Sequence, residues 1–400
     1  MPLIKPFTAL IPAAHLQPAI VTRPLEYYST GEARLIVSEN TYSFLHLINP
    51  ALKHAYLRDA HQHLVFRKIK DDFDSFVAQK VLVSVARPCY YIYQVSGNGV
   101  SQTGLWTLSE VSSYLDGSIK RHELTVKRRE KLLSDYLEHT GLDANPVLIT
   151  YAANEVIEAV TARYIKELPV IDFTFADQTV HKVWLIDEQK DIDQITAEFA
   201  AMPSVYIADG HHRAAAMANM ELFSTVYMNT DEIQILQFNR LVRDLNGLQP
   251  EEFLALIEKS FTVKTSGEAV NPVKLHEIGM YLKGQWYVLK PHADLYDEQD
   301  PVEVLDVNIL QELLLAPLLG IDDPRTAARI TFEGGKTPVT ALAQMIDNGL
   351  YEVAFTLFTV SVEQLIKVAD AGKVMPPKST WIEPKFLVGI LTNYCTGPGQ

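Results

Sequence analysis

The stretch Ser204-Val-Tyr-Ile-Ala-Asp-Gly-His-His-Arg-Ala-Ala-Ala-Met217 constrains this chain more than any other. Val205–Ala208 is short, apolar and bounded by turn residues, which reads as a buried strand. Asp209-Gly210 is a turn dipeptide. His211 then opens a helix that the pattern extends to about Glu221. A buried strand running into a helix through two residues leaves little freedom. The helix must fold back near the strand layer, and Ala214, Ala215 and Ala216 are small enough to let it sit close.

Such a turn has a chemistry. The first turn of a helix presents unpaired N–H groups and a partial positive charge. Gly210 lacks a Cβ, so a ligand can approach its backbone closely. Arg213 adds a planar fork of donors matched to phosphate oxygens. His211 and His212 add two donors or a base. Together, Asp209, Gly210, His211, His212 and Arg213 read as a phosphate cradle. Asp209 is also a candidate ligand for a divalent metal such as magnesium that bridges phosphates. The competing reading is an ordinary helix cap with solvated charges.

Elsewhere, strand and helix patterns alternate without regular βαβ timing. Strands are expected at Val81–Ala86, Tyr90–Val95, Gly104–Leu108, Pro146–Tyr151, Thr179–Ile186, Gln234–Val242, Gln285–Lys290 and Val353–Val360. Helices are expected at Glu123–Thr140 (stopped by Gly141), Asn154–Lys166, Ile192–Met202, Glu251–Ser260, Val307–Leu319 and Val362–Ala369. This is a mixed α/β pattern of the α+β class. The expected organisation is an N-terminal mixed α/β module over 1–165, a phosphate-binding core over 166–248, and a C-terminal α/β region over 249–400 packed on that core.

Composition narrows the partners. With 35 Lys and Arg against 49 Asp and Glu, the net charge is −14. A field of that sign repels phosphate backbones, so no nucleic-acid partner is expected. The 2 cysteines, Cys89 and Cys395, make neither a disulfide framework nor a cysteine zinc site. They fit a reducing compartment. No apolar run reaches membrane-spanning length, and the N-terminus lacks a signal-peptide pattern. The expectation is a cytoplasmic protein with no membrane partner.

Other polar clusters are weaker candidates. In Lys120-Arg121-His122-Glu123, His122 or Glu123 could serve as a general base and Lys120 or Arg121 as a phosphate ligand. The same residues also suit a solvated helix start. Met375-Pro-Pro-Lys378-Ser379-Thr380 is a rigid loop offering Lys378 and the hydroxyls of Ser379 and Thr380 to an anion, or simply an ordered turn. Lys385, after Glu383-Pro384, ranks below it. Glu333-Gly-Gly-Lys-Thr337 fails the P-loop spacing because Ile330 stands where the first Gly is required, so it reads as a turn. His61-Gln-His63 lacks a third metal ligand, and His46 reads as a core histidine. Trp106, Trp184, Trp286 and Trp381 read as core.

The Ala208-Asp-Gly-His-His-Arg-Ala-Ala-Ala signature resembles that of the ParB/sulfiredoxin-like superfamily. Blocks along the chain resemble the domain-of-unknown-function 1015 family more closely. They are Lys5-Pro-Phe-Thr-Ala-Leu, Tyr42-Ser-Phe-Leu-His-Leu-Ile-Asn-Pro50, Thr103-Gly-Leu, Ile119-Lys-Arg-His-Glu-Leu-Thr125, Leu305-Asp-Val-Asn-Ile-Leu and Val374-Met-Pro-Pro-Lys-Ser-Thr380. Free serine kinases share the Asp-Gly-His-His-Arg element. The resemblance implies a ParB/sulfiredoxin-like core and binding of ADP or ATP. It also implies phosphoryl transfer to a small hydroxylated metabolite such as serine. Where the family shows Pro-Pro-Tyr-Asp-Val, this chain has Arg23-Pro-Leu-Glu-Tyr27, so Glu26 would supply the catalytic carboxylate on a longer stem. The same change suits a non-catalytic, nucleotide-responsive binding or protein-interaction module.

Overall fold

A computed structural model describes residues 1–58 and 60–395. It is an α+β structure in which the chain forms two compact units. The first contains Met1–Lys120, Thr125–Ile233 and the chain from Pro384 onward; the second contains Arg121–Leu124 and Gln234–Glu383. The expected boundary at 165 falls inside the first unit, because one sheet takes strands from both sides of it.

That sheet has nine strands. In spatial order it runs Ile119–Lys120, Val205–Asp209, Val147–Tyr151, Leu222–Asn229, Val100–Glu110, Tyr90–Gly97, Val180–Ile186 and Ile171–Thr174, with Ile4–Lys5 added onto Val100–Glu110. Val205–Asp209 lies parallel to Ile119–Lys120 and antiparallel to Val147–Tyr151. All five residues of Val147–Tyr151 are buried, which explains its continuous apolar run. Ile149, Phe199, Ile207 and Tyr227 form part of one core cluster beside this strand group. Burying each such side chain contributes about 1.5–3 kcal/mol, so the strand that delivers Asp209 is firmly anchored.

The helix after the turn is shorter than its pattern suggested, His211–Ala216. Ala214 and Ala216 are buried, as their size implied, and the helix packs against Lys127–Thr140. That second helix starts four residues later than expected, so Glu123 lies in an irregular segment ahead of it. It ends where expected: Gly141 adopts φ +70°, and its N–H bonds the Leu137 carbonyl.

The second unit is built on a six-stranded sheet ordered Phe261–Ser266, Gln285–Pro291, Ile278–Leu282, Val353–Leu357, Phe238–Val242 and Ile330–Gly334. The expected single strand Gln234–Val242 is broken at Gln237. Gln234–Leu236 pairs with Trp381–Glu383 in a separate ribbon, while Phe238–Val242 enters the sheet. The expected helix Val307–Leu319 is an α-helix, Asp306–Leu310, that continues as one π-helical segment, Gln311–Leu315. There the Ala316 N–H reaches back to the Gln311 carbonyl, and the buried Gln311 side chain donates to the Ile321 carbonyl at 2.7 Å.

Candidate functional site

The strand Val205–Asp209 is not regular. Ile207 pairs with Ile149 and Asp209 with Leu148, so two steps along one strand meet one step along the other. This β-bulge turns Asp209 out of the pleat at the mouth of the following helix. Gly210 then takes φ +101°, which side chains rarely tolerate.

Two cations meet the Asp209 carboxylate. Lys385 Nζ donates to Oδ1 at 3.0 Å, and Arg213 Nη2 donates to Oδ2 at 2.5 Å. Lys385 lies 176 positions along the chain from Asp209. Burial pulls the Asp209 pKa upward, but the Lys385 ammonium and the Arg213 guanidinium outweigh it and hold the group well below the ordinary carboxylate range. Asp209 is therefore ionised throughout the neutral range.

Arg213 is anchored from below as well. Its Nη1 donates to Asn145 Oδ1 and to the Pro146 carbonyl. The guanidinium covers the Gly210 Cα, where a Cβ would come within 2.9 Å of Nε and Nη2. This corrects the expectation for Gly210: the space left by its missing side chain holds Arg213. Beneath, Asp143 is buried and accepts the Ser224 N–H at 2.7 Å. Burial lifts its pKa to about 7, against the opposing pull of the Ser224 amide and Arg213.

The histidines differ. His211 is buried. His212 is half-buried, and its Nε2 accepts the Val126 N–H at 3.0 Å. On the neighbouring strand, Lys120 stands beside Tyr206, with Nζ 5.9 Å from the ring centre.

Asp209 is also the candidate magnesium ligand. Each of its oxygens accepts from one cation, and among the described residues no group of three or more His, Cys, Asp or Glu is placed to hold a metal on its own. His61 and His63 stack on each other at 5.9 Å in the first turn of a helix. His46 is a satisfied core histidine, bonded through Nε2 to the Asn40 carbonyl at 3.0 Å.

Glu26 is exposed on the single-turn 3-10 helix Leu25–Tyr27 and makes no hydrogen bond or ion pair among the described residues. His122, Glu123, Lys378, Ser379 and Thr380 belong to the second unit. There His122 is buried and its carbonyl accepts the Met375 N–H at 2.8 Å. The Ser379 hydroxyl donates to the Pro376 carbonyl at 2.6 Å, and Lys378 is exposed. Gly334 and Gly335 serve packing: a Cβ would strike Trp381 at 2.5 Å and Leu236 at 2.9 Å respectively. Trp106, Trp184 and Trp286 are buried and Trp381 is half-buried.

Sequence reasoning ranked Lys385 low and did not single out Asn145 or Asp143. Only the Pro384-Lys385 pair marked that lysine locally; its role depends on a contact between distant parts of the chain.

Comparison with known proteins gives one family match. The model of the family described as "Protein of unknown function (DUF1015)" matches residues 4–308. No curated protein matched the sequence. Among solved structures, a free serine kinase in complex with AMP is similar at 12% identity and TM-score 0.40, over 70% of this chain and 88% of that one. A conserved hypothetical protein from Pyrococcus furiosus is similar at 11% identity and TM-score 0.39, over 72% and 93%. SbnI with a C-terminal truncation, from Staphylococcus aureus, is similar at 12% identity and TM-score 0.38, over 70% and 82%.

Proposed function

The chain belongs to the DUF1015 family, and from that premise we propose that it binds the phosphate tail of ADP or ATP at the Asp209–Arg213 turn and transfers a phosphoryl group to a small hydroxylated metabolite such as serine. The reading rests on the Lys385–Asp209–Arg213 cluster. Phosphoryl transfer depends on positioning and charge neutralisation more than on covalent chemistry by the protein. A carboxylate clamped between two cations fixes those cations before any ligand arrives. The cluster sets two cations against one carboxylate in a chain of net charge −14.

The roles divide by geometry. Lys385, held in place by its bond to Asp209, is the ammonium that this reading assigns to a phosphate oxygen. Arg213 is a positioning residue that holds Asp209 and the Gly210 turn. Magnesium would enter with the nucleotide phosphates, whose charge it neutralises. Glu26 is the acceptor's base on this reading. The Thr22 backbone pairs with Val388, three residues beyond Lys385. Extended chain rises about 3.3 Å per residue and paired strands lie about 4.8 Å apart, so Thr22 lies within about 15 Å of Lys385, and Glu26 follows four residues later.

The exposure of Glu26 favours a second reading: nucleotide binding without turnover, in a responsive binding or interaction module. Incubation of the full chain with ADP or ATP, magnesium and a pool of hydroxylated metabolites separates the two. Nucleotide consumption abolished by Glu26→Gln supports transfer. Saturable binding without consumption supports the module. Absence of any nucleotide binding overturns both.

A further inference from the structure

A 360 Å³ cavity opens in the first unit between the N-terminal segment and the turn at Phe175–Asp177. Its size falls in the range of small-molecule sites. The turn joins Ile171–Thr174 to Val180–Ile186, and Val180–Ile186 is five strands from Val205–Asp209 in the nine-stranded sheet. None of Asp209, Gly210, Arg213, Lys385 or Glu26 lines this cavity.

One end of the cavity carries a pair of opposite charges. Arg23 Nη2 donates to Asp177 Oδ2 at 2.8 Å, and Arg23 Cζ lies 6.0 Å from the Phe175 ring centre. The other N–H groups of the guanidinium have no acceptor among the described residues. Asp177 Oδ1 accepts the Thr179 amide at 3.0 Å and the Thr179 hydroxyl at 2.5 Å, while Oδ2 accepts only from Arg23. Burial pulls the Asp177 pKa upward, but the Thr179 and Arg23 donors outweigh it and hold it at about 2. Two buried residues, Thr22 and Ser43, each 2% exposed, also line the cavity. The Tyr28 hydroxyl accepts the Arg23 backbone N–H at 3.1 Å and shares one hydrogen bond with the Thr22 hydroxyl at 3.0 Å. Ser43 Oγ accepts the Leu45 N–H at 3.3 Å. One hydroxyl proton of the Thr22–Tyr28 pair and that of Ser43 are therefore left without an acceptor among the described residues. Buried donors without partners are costly. Pro18, Ala19, Val21 and Ile36 make the aliphatic part of the lining.

We propose that this cavity binds a free α-amino acid with an aliphatic side chain. The ligand's carboxylate meets the unused N–H groups of Arg23 and the spare hydroxyl protons, and its ammonium meets Asp177 Oδ2. Its two charges then run opposite to the Arg23–Asp177 pair, so each of the four charges has an opposite neighbour. A carboxylate alone would face the Asp177 charge, and an amine alone would face the Arg23 charge. The aliphatic lining takes the side chain out of water. That preference sets this ligand apart from the hydroxylated acceptor of the phosphotransfer reading. The site uses none of the residues on which that reading rests and stands independently of it.

The test titrates L-leucine into the full-length chain by calorimetry with no nucleotide present. The comparisons are 3-methylbutylamine, which is leucine without its carboxylate, and 4-methylpentanoate, which is leucine without its ammonium. The expected result is saturable leucine binding, with both analogues at least about tenfold weaker. Arg23→Gln should remove the advantage of leucine over 3-methylbutylamine, and Asp177→Asn its advantage over 4-methylpentanoate. A merely structural role for either residue would weaken all three ligands alike. Both side chains reach the surface, and thermal melts check that the variants fold. No saturable leucine binding, an analogue that binds as tightly as leucine, or variants that keep the parent's preferences overturns the proposal.

Discussion

Replacing Asp143 by Asn probes the floor that supports Arg213. Asp143 is 3% exposed, and its carboxylate accepts the Ser224 N–H at 2.7 Å. Burial raises its pKa from an ordinary 3.8 to about 7. At 1.36 kcal/mol per pKa unit, the ionised group costs the folded state about 4 kcal/mol. The sign follows from proton affinity: the folded chain holds this proton more tightly than the unfolded chain. The cost is therefore absent below about pH 4, grows between about 4 and 7, and is complete above about 7. Asn stays neutral throughout, and its amide oxygen can accept the same Ser224 N–H. Asp143→Asn should match the parent near pH 4 and exceed its stability by up to about 4 kcal/mol at pH 8.5. Urea denaturation followed by tryptophan fluorescence reads this region directly, because Trp106 Nε1 donates to Ser224 Oγ at 2.6 Å. A stability change of the same size at both pH values, or a loss at pH 8.5, would refute the reasoning.

Two other substitutions examine the turn. Gly210→Ala forces a side chain into φ +101° and places its Cβ 2.9 Å from the Arg213 guanidinium, so thermal melts should show a loss of about 1–3 kcal/mol; an unchanged melting temperature would mean the turn is looser than described. Arg213→Ala removes the anchor of Asp209 and should weaken ADP binding by about 1.5–3 kcal/mol; undiminished affinity in a titration would confine that arginine to a structural role.

Local order was legible where one rule governed it. The change from a buried strand to a helix across Asp209-Gly210 was readable because the apolar run, the turn dipeptide and the small residues agreed. Gly141 was readable as a helix stop because few residues accept a left-handed cap. Long-range assembly was not. Gln234–Val242 alternates like one strand, but its halves join different sheets, and nothing local to Gln237 encodes a partner. Glu123 looked like a helix start from its charge, whereas the helix begins at Lys127, where the Thr125 hydroxyl bonds Glu130. At the candidate site, Asp209, Gly210 and Arg213 were visible as a motif. Lys385, Asn145 and Asp143 join them only through tertiary contacts. The function of Gly210 also depended on structure, since the motif suggested room for a ligand and the fold fills it with a guanidinium.

The most direct measurement compares ADP with adenosine by calorimetric titration, in the parent chain and in Lys385→Ala. If phosphates are held at the Asp209–Arg213 turn, ADP binds at least about tenfold more tightly than adenosine, added salt weakens ADP selectively, and Lys385→Ala removes most of that difference. Equal affinity for the two ligands, or an ADP affinity untouched by Lys385→Ala, would contradict the account.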